Sequence, residues 1–290
     1  MTRKEFVKMC GLLGIGLPVM SACGRLSDSS RLSGTDKVLI IGAGAAGLTA
    51  AHLLKQKGIT VEVLEASGNH GGRMKRTTDF ADFPIPTGAE WLHTEKSVLN
   101  DIVNDSQVKI DITTSPYDFE VDYALVEGKR VNLKEVGFTI DQKFIGATWF
   151  DFYERYVVPG IKEHIRYDTV VSAIDYNADQ VSVTTASEIL KADRVIITVP
   201  VKVLQQGAIE FSPALPEEKA SAIKEVTVWG GCKAFIEFSE CFYPTVTGFD
   251  TKPETAGHRL YYDAAYGQNT KRNIQGLFAV GSVAKPYLSR

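Results

Sequence analysis

"KVLIIGAGAAGLTAAHLLKQKGITVEVLEA", residues 37 to 66, decides the fold. Its opening apolar run, residues 37 to 41, is short and followed by turn glycines, the mark of a buried strand. Residues 45 to 57 have helical spacing, with Leu48, Ala51 and Leu54 on one face, and Gly58 stops them. Residues 60 to 64 form a second strand that ends at Glu65. Strand, helix and strand within about thirty residues require a right-handed crossover and parallel strands. Gly42, Gly44 and Gly47 give Gly-x-Gly-x-x-Gly where the first strand turns into the helix. The first glycine permits a sharp turn, the second leaves room for a pyrophosphate, and the third lets helix and strand pack closely. A diphosphate there meets the N–H groups of the first helical turn, at Ala45 and Ala46, and the positive end of the helix dipole. Glu65, about twenty residues on, is placed to accept hydrogen bonds from ribose hydroxyls and would repel a 2′-phosphate. This predicts an adenine dinucleotide site and leaves NAD and FAD both open.

The whole chain has 290 residues, 44% hydrophobic and 23% charged, which suits one large or two medium globular domains. A net charge of −3 gives no indication of nucleic acid or an anionic membrane as partner. Residues 1 to 23 read as an export signal, with basic Arg3, Lys4 and Lys8 before an apolar core. Thr2 to Lys8 resembles a twin-arginine signal with Lys4 in place of the second arginine. Met20-Ser21-Ala22-Cys23 resembles a lipobox, in which Cys23 becomes the lipid-bearing terminus. The expected location is therefore outside the cytoplasm, periplasmic or held to a bacterial membrane as a lipoprotein, after a tether at residues 24 to 35. Cys232 and Cys241 have no metal-ligand spacing around them, so neither a metal nor a disulfide framework is expected.

Further along, residues 118 to 126 alternate, residues 127 to 129 turn, and residues 130 to 133 return as a hairpin. Residues 148 to 163 look helical, with Pro159 disturbing the end. Residues 168 to 176 and 180 to 186 form a second alternating pair, and residues 192 to 200 a buried strand ended by Pro200. Residues 216 to 225 read as a helix, residues 227 to 238 as a strand with a glycine break, and residues 258 to 263 and 276 to 281 as further strands.

The stretch from Glu65 and Ala66 to Gly71-Gly72-Arg73 resembles the signature that follows the nucleotide loop in flavin-containing amine oxidases. The resemblance implies FAD, held without a covalent bond. Gly71 and Gly72 would bring backbone close to it, and Arg73 would face its diphosphate, since two phosphates need a cation as well as N–H groups. Thr87-Gly88-Ala89-Glu90-Trp91 is similar to the family segment near the isoalloxazine. Residues 168 to 174 resemble the strand whose central valine, Val171, contacts the adenine end. Residues 192 to 200 and 211 to 219 match two further family runs. Lys233, in Gly-Gly-Cys-Lys, aligns with the lysine that holds a water against flavin N5, and is the catalytic candidate. Its structural alternative is a strand-edge lysine that discourages aggregation. Cys232 reads as a small core residue; His93 could be a polar group near the flavin, although a histidine with a backbone partner is the commoner outcome.

The implied architecture is α/β. A Rossmann-like FAD-binding domain, a parallel sheet plus a β-meander (36–92 and 165–228), is interleaved with an α+β substrate domain (93–164 and 229–290). The implied reaction is oxidation of a small-molecule amine. The Cα–H of the neutral amine leaves as hydride, O2 takes the electrons to give H2O2, and water hydrolyses the imine to an aldehyde and ammonia. Alternatives are a related flavin desaturase or polyamine, amino-acid or porphyrinogen oxidase, or a non-catalytic FAD-binding remnant. Beside the family the chain looks shortened: much of the helical substrate domain and the C-terminal segment over the flavin are not found, and Ser282 stands where that segment would carry an acid.

Overall fold

The computed structural model describes residues 35–126, 128–136, 140–249 and 257–288. The export signal and most of the tether lie outside them. In chain order the elements that position the site begin with β1 (Lys37–Ile41), α1 (Ala45–Gln56), β2 (Thr60–Leu64), β3 (Arg76–Thr77), β4 (Ile85–Pro86) and β5 (Trp91–Leu92). There follow α2 (Val98–Val103), β6 (Thr113–Pro116), the hairpin β7 (Tyr123–Val126) and β8 (Lys129–Asn132), β9 (Gln142–Ile145) and α3 (Trp149–Tyr156). Then come β10 (Ile165–Arg166), β11 (Val171–Asp175), β12 (Val181–Thr185), β13 (Ile189–Ala192) and β14 (Arg194–Ile197). The last are α4 (Val201–Gln205), β15 (Glu210–Ser212), α5 (Glu217–Glu225), β16 (Gly231–Phe238), β17 (Val246–Phe249), β18 (Gly257–Asp263) and β19 (Asn273–Gly281).

The nucleotide-loop strands form a parallel sheet in the order β10-β2-β1-β14. Alternate side chains of β1 go to opposite faces, and each face has its own core. Val38 and Ile40 join Leu48 and Ala51 of α1. Leu39 and Ile41 join Val171, Ile174, Val183 and Leu190 of the meander β11-β12-β13, with β15 added in parallel. Helices on one face and a meander on the other make this the Rossmann-like α/β arrangement.

The second large unit is a six-stranded sheet in the order β16-β19-β18-β17-β7-β8. Its core holds Tyr117, Ala124, Leu133, Val246, Tyr262 and Ile274. A small sheet, β5-β9-β6, joins it to the nucleotide unit.

Several details differ from expectation. The helix expected to reach 163 stops at Tyr156, and two 3-10 turns follow around Pro159, which has no N–H to continue it. The hairpin begins at Tyr123 because Asp118 Oδ1 accepts from the N–H of Glu120 and Val121 and holds a turn. Strand β14 is the half-exposed edge of its sheet, with Ile197 38% exposed, where a buried strand was expected. The expected boundary at residue 93 also moves. Phe144, Phe152, Tyr153, Val157 and Ile161 pack in the same core as Val38 and Leu48, so residues 98–112 and 144–165 belong with the nucleotide sheet. Apolar surface there meets α1 and not the six-stranded sheet.

Candidate active site

The site starts at the mouth of α1. Gly42 has φ +104°, a left-handed value that side chains rarely adopt. A Cβ on Gly47 would stand 1.9 Å from the Gly42 carbonyl oxygen and 2.9 Å from Thr198 Oγ1, so the loop closes only over glycine. Thr198 Oγ1 donates to the carbonyls of Ile41 or Gly42, tying the loop to the end of β14. Gly44 faces open space. Helix α1 has no side-chain cap and no acidic residue in its first turn, so its opening N–H groups are available to an anion.

Two distant segments are strapped to this loop by backbone. The Gly71 N–H donates to the Ala43 carbonyl at 2.8 Å, and a Cβ on Gly72 would come within 3.2 Å of Gly44 Cα. In turn the Ala89 N–H donates to the Arg73 carbonyl, and a Cβ on Gly88 would stand 1.9 Å from that oxygen. Three sequence motifs thus become one wall.

The wall borders a cavity of about 2100 Å³. That exceeds the roughly 300–1,000 Å³ that holds a drug-sized molecule, and leaves room for a dinucleotide and a substrate. Gly42, Gly44, Ala45, Ala46, Glu65, Ala66, Gly71, Gly72, Arg73, Gly88, Ala89, Glu90, Trp91, Val171 and Lys233 all line it. Gly47 does not; it is buried behind the loop, where it permits the close packing. Arg73 is exposed on this wall, with no carboxylate within ion-pair distance among the described residues. Glu65 accepts from the Ala43 N–H (2.7 Å), the Ser67 N–H (2.9 Å) and Ser67 Oγ (2.8 Å). An ionised carboxylate has about four acceptor positions, so room for a hydroxyl remains.

At the far end of the cavity two sheets meet at Glu90. Its carboxylate is 1% exposed, turned into the protein at the cavity's edge and engaged by side chains. Lys233 Nζ, from β16, donates to Glu90 Oε2 at 2.6 Å and to the Pro86 carbonyl at 3.2 Å. Tyr262 OH, from β18, donates to the same Oε2 at 2.9 Å. Lys143 Nζ, from β9, lies 3.3 Å from Oε1 and donates to the Ala264 carbonyl at 2.6 Å. Burial alone would push the Glu90 carboxyl up; Lys143, Lys233 and Tyr262 outweigh it and hold it below the ordinary range. Burial pushes the Lys233 ammonium below its usual value; Glu90 opposes this and Lys143 adds to it. Lys233 is therefore an interior, cavity-lining lysine and not an exposed edge guard.

Sequence reasoning missed Lys143, Tyr262 and Thr198. No local signal marks Lys143, which stands between polar Gln142 and apolar Phe144 in a short strand. His93 also lines the cavity, and its Nδ1 bonds the Asp141 carboxylate, where a backbone partner was expected. Asp141 approaches because β5 and β9 pair with Leu92 opposite Gln142. Cys232 is half-buried, packed against the cluster of Leu277, Ala279 and Ala284, and also lines the cavity.

Comparison with known proteins agrees with this geometry. Residues 160–287 match the family model of flavin containing amine oxidoreductase, and residues 40–106 that of an NAD(P)-binding Rossmann-like domain. Polyamine oxidase 3 of Oryza sativa subsp. japonica is 26% identical, over 74% of this chain and 62% of that protein. Lysine-specific histone demethylase 1B of Mus musculus is 23% identical, over 94% of this chain and 42% of that protein. The chain thus spans about two fifths to three fifths of the length of these relatives. A solved structure of putrescine oxidase bound to putrescine superposes with a TM-score of 0.67, covering 88% of this chain and 78% of that one, at 15% identity, which speaks for the fold.

Proposed function

We propose that the chain is a flavin-containing amine oxidoreductase that holds FAD, oxidises a small-molecule amine and passes the electrons to O2. The residues present fit FAD. The uncapped mouth of α1 and the side-chain-free Gly44 suit a diphosphate, and Arg73 supplies the cation. Glu65 keeps an acceptor position for a ribose hydroxyl, and Val171 offers an apolar contact to the adenine end. When bound, FAD supplies the acceptor for two electrons and a hydrogen from the amine carbon.

The chain's own residues supply binding, orientation and proton handling. Lys233 places an ammonium at the interior end of the cavity, where it can orient a water or O2. Trp91 forms an apolar wall beside it, its ring centre 5.6 Å from Lys233 Nζ. The His93–Asp141 pair on the wall is suited to take the proton that a substrate ammonium must lose before oxidation. Glu135 and Asp141 add carboxylates to the lining, which favours a substrate with more than one cationic nitrogen. The names of the relatives suggest the same class: polyamines, or a diamine such as putrescine.

The observation that carries this reading is one continuous cavity from the mouth of α1 to Lys233. The test is H2O2 release from the purified protein with putrescine, spermidine, spermine, monoamines and amino acids. Release with polyamines or diamines is expected; release with amino acids alone would reassign the substrate. A second reading, an FAD-binding protein without turnover, is favoured by the exposed apolar lining at Val170 (55%) and Trp229 (49%), since an open site admits water. Flavin binding without peroxide from any amine would select it.

A further inference from the structure

The ion cluster at the interior end of the cavity is built in an unusual way. Two ammonium groups converge on one carboxylate from different sheets, Lys143 from β9 and Lys233 from β16. All three side chains are nearly sealed: 1% exposed for Glu90, 3% for Lys143 and 7% for Lys233. An apolar replacement of such a cluster is commonly as stable or more so, so packing alone does not account for it. The contacts are also unequal. Lys233 and Tyr262 hydrogen-bond to Oε2, whereas Oε1 accepts no hydrogen bond and meets Lys143 only as a charge at 3.3 Å. Lys143 Nζ donates its aligned hydrogen bonds to the carbonyls of Asp263 and Ala264, which fix it without consuming the carboxylate. Of the two lysines, Lys233 is the one on the cavity wall.

We infer that Glu90 and Lys143 are positioning residues for Lys233: the carboxylate holds its ammonium at the cavity wall, and the second lysine keeps that pair from closing into an isolated neutral ion pair. This rests on the amine-oxidation reading for its purpose, but not for its physics. Lys233 feels Glu90 from the loop before β5, Lys143 from β9 and Tyr262 from β18. Tyr117 and Asp263 lie one step further, against Glu90 and Lys143, and His258 shares the cavity. Removing Lys143 takes away a like charge and strengthens the hold of Lys233 on its proton. Removing the Glu90 charge takes away the counter-ion and weakens it. The two substitutions therefore act in opposite directions, which a merely structural role would not produce.

The test reads Lys233 directly in the full chain without added cofactor. Acetic anhydride labels neutral amines, and the pH midpoint of Lys233 labelling is followed on its peptide by mass spectrometry. Against the wild type, Lys143→Met is expected to move that midpoint to higher pH and Glu90→Gln to lower pH, with circular dichroism showing both folded. If Glu90→Gln does not fold, Lys143→Met, which retains the Glu90–Lys233 pair, still decides. No shift in Lys143→Met, or a shift to lower pH, overturns the inference. In the FAD-loaded protein the pH profile of amine turnover moves with the labelling midpoint. If the protein binds no FAD, the functional reading fails while the labelling result stands by itself.

Discussion

The two ends of the cavity are built by different means. At the mouth of α1 the chemistry is backbone: N–H groups, glycines and a hydrogen-bonded strap from Gly71. At the Lys233 end it is side chain: one carboxylate, two ammonium groups and a tyrosine, sealed from water between two sheets. The first is tolerant of what surrounds it as long as no Cβ intrudes. The second depends on several charges arriving together, and losing the carboxylate leaves two ammonium groups uncompensated.

Substitutions at the two ends should fail differently. The largest effect is expected at Gly47, where a valine collides with the Gly42 carbonyl; Gly47→Val abolishes FAD loading, read as loss of flavin absorbance after reconstitution. Gly44→Ala sharpens the contrast. Its Cβ meets nothing within 4 Å, so the melting temperature holds while FAD affinity falls roughly tenfold or more. A loss of fold in Gly44→Ala would break the claim that this glycine serves the ligand.

The interior end should lose stability first. Glu90→Gln leaves two buried ammonium groups without their counter-charge and is expected to cost about 3–5 kcal/mol in urea denaturation. The sign of its pH dependence follows from the lowered folded value of Glu90. Its contribution is whole above the ordinary value of 4.5 and is lost as pH falls through the folded value. The stability gap between wild type and Glu90→Gln should therefore narrow in acid; a gap that widens there would contradict the ion cluster. The smallest effect is expected at Glu62, whose pairs with Lys37 and Arg166 are partly exposed. Glu62→Gln should change stability by only about 0–1 kcal/mol, and a larger loss would blur the distinction between sealed and open charges.

The same contrast governs what was legible in the sequence. The β1–α1–β2 unit was readable to within a residue, because glycine positions and apolar spacing act over a short span of chain. Gly71-Gly72-Arg73 and Gly88-Ala89 were recognisable as motifs, although their mutual hydrogen bonds were not. Lys143 was not legible at all. Its place at Glu90 follows from the pairing of Trp91 with Lys143 between β5 and β9, and from the six-stranded sheet that brings Lys233 across. The helical pattern of residues 148 to 163 does not say which sheet it packs on, and Phe152 and Tyr153 share the core of Val38 and Leu48. Distances along the chain set by topology leave no local pattern to read.

The most direct measurement is a fluorescence titration of FAD into the purified, folded protein, repeated with Arg73→Ala. Saturable quenching in the wild type that weakens markedly in Arg73→Ala is the predicted result. A folded protein that leaves FAD fluorescence unchanged, or an Arg73→Ala variant that binds as tightly as wild type, would contradict the placement of the diphosphate at the mouth of α1.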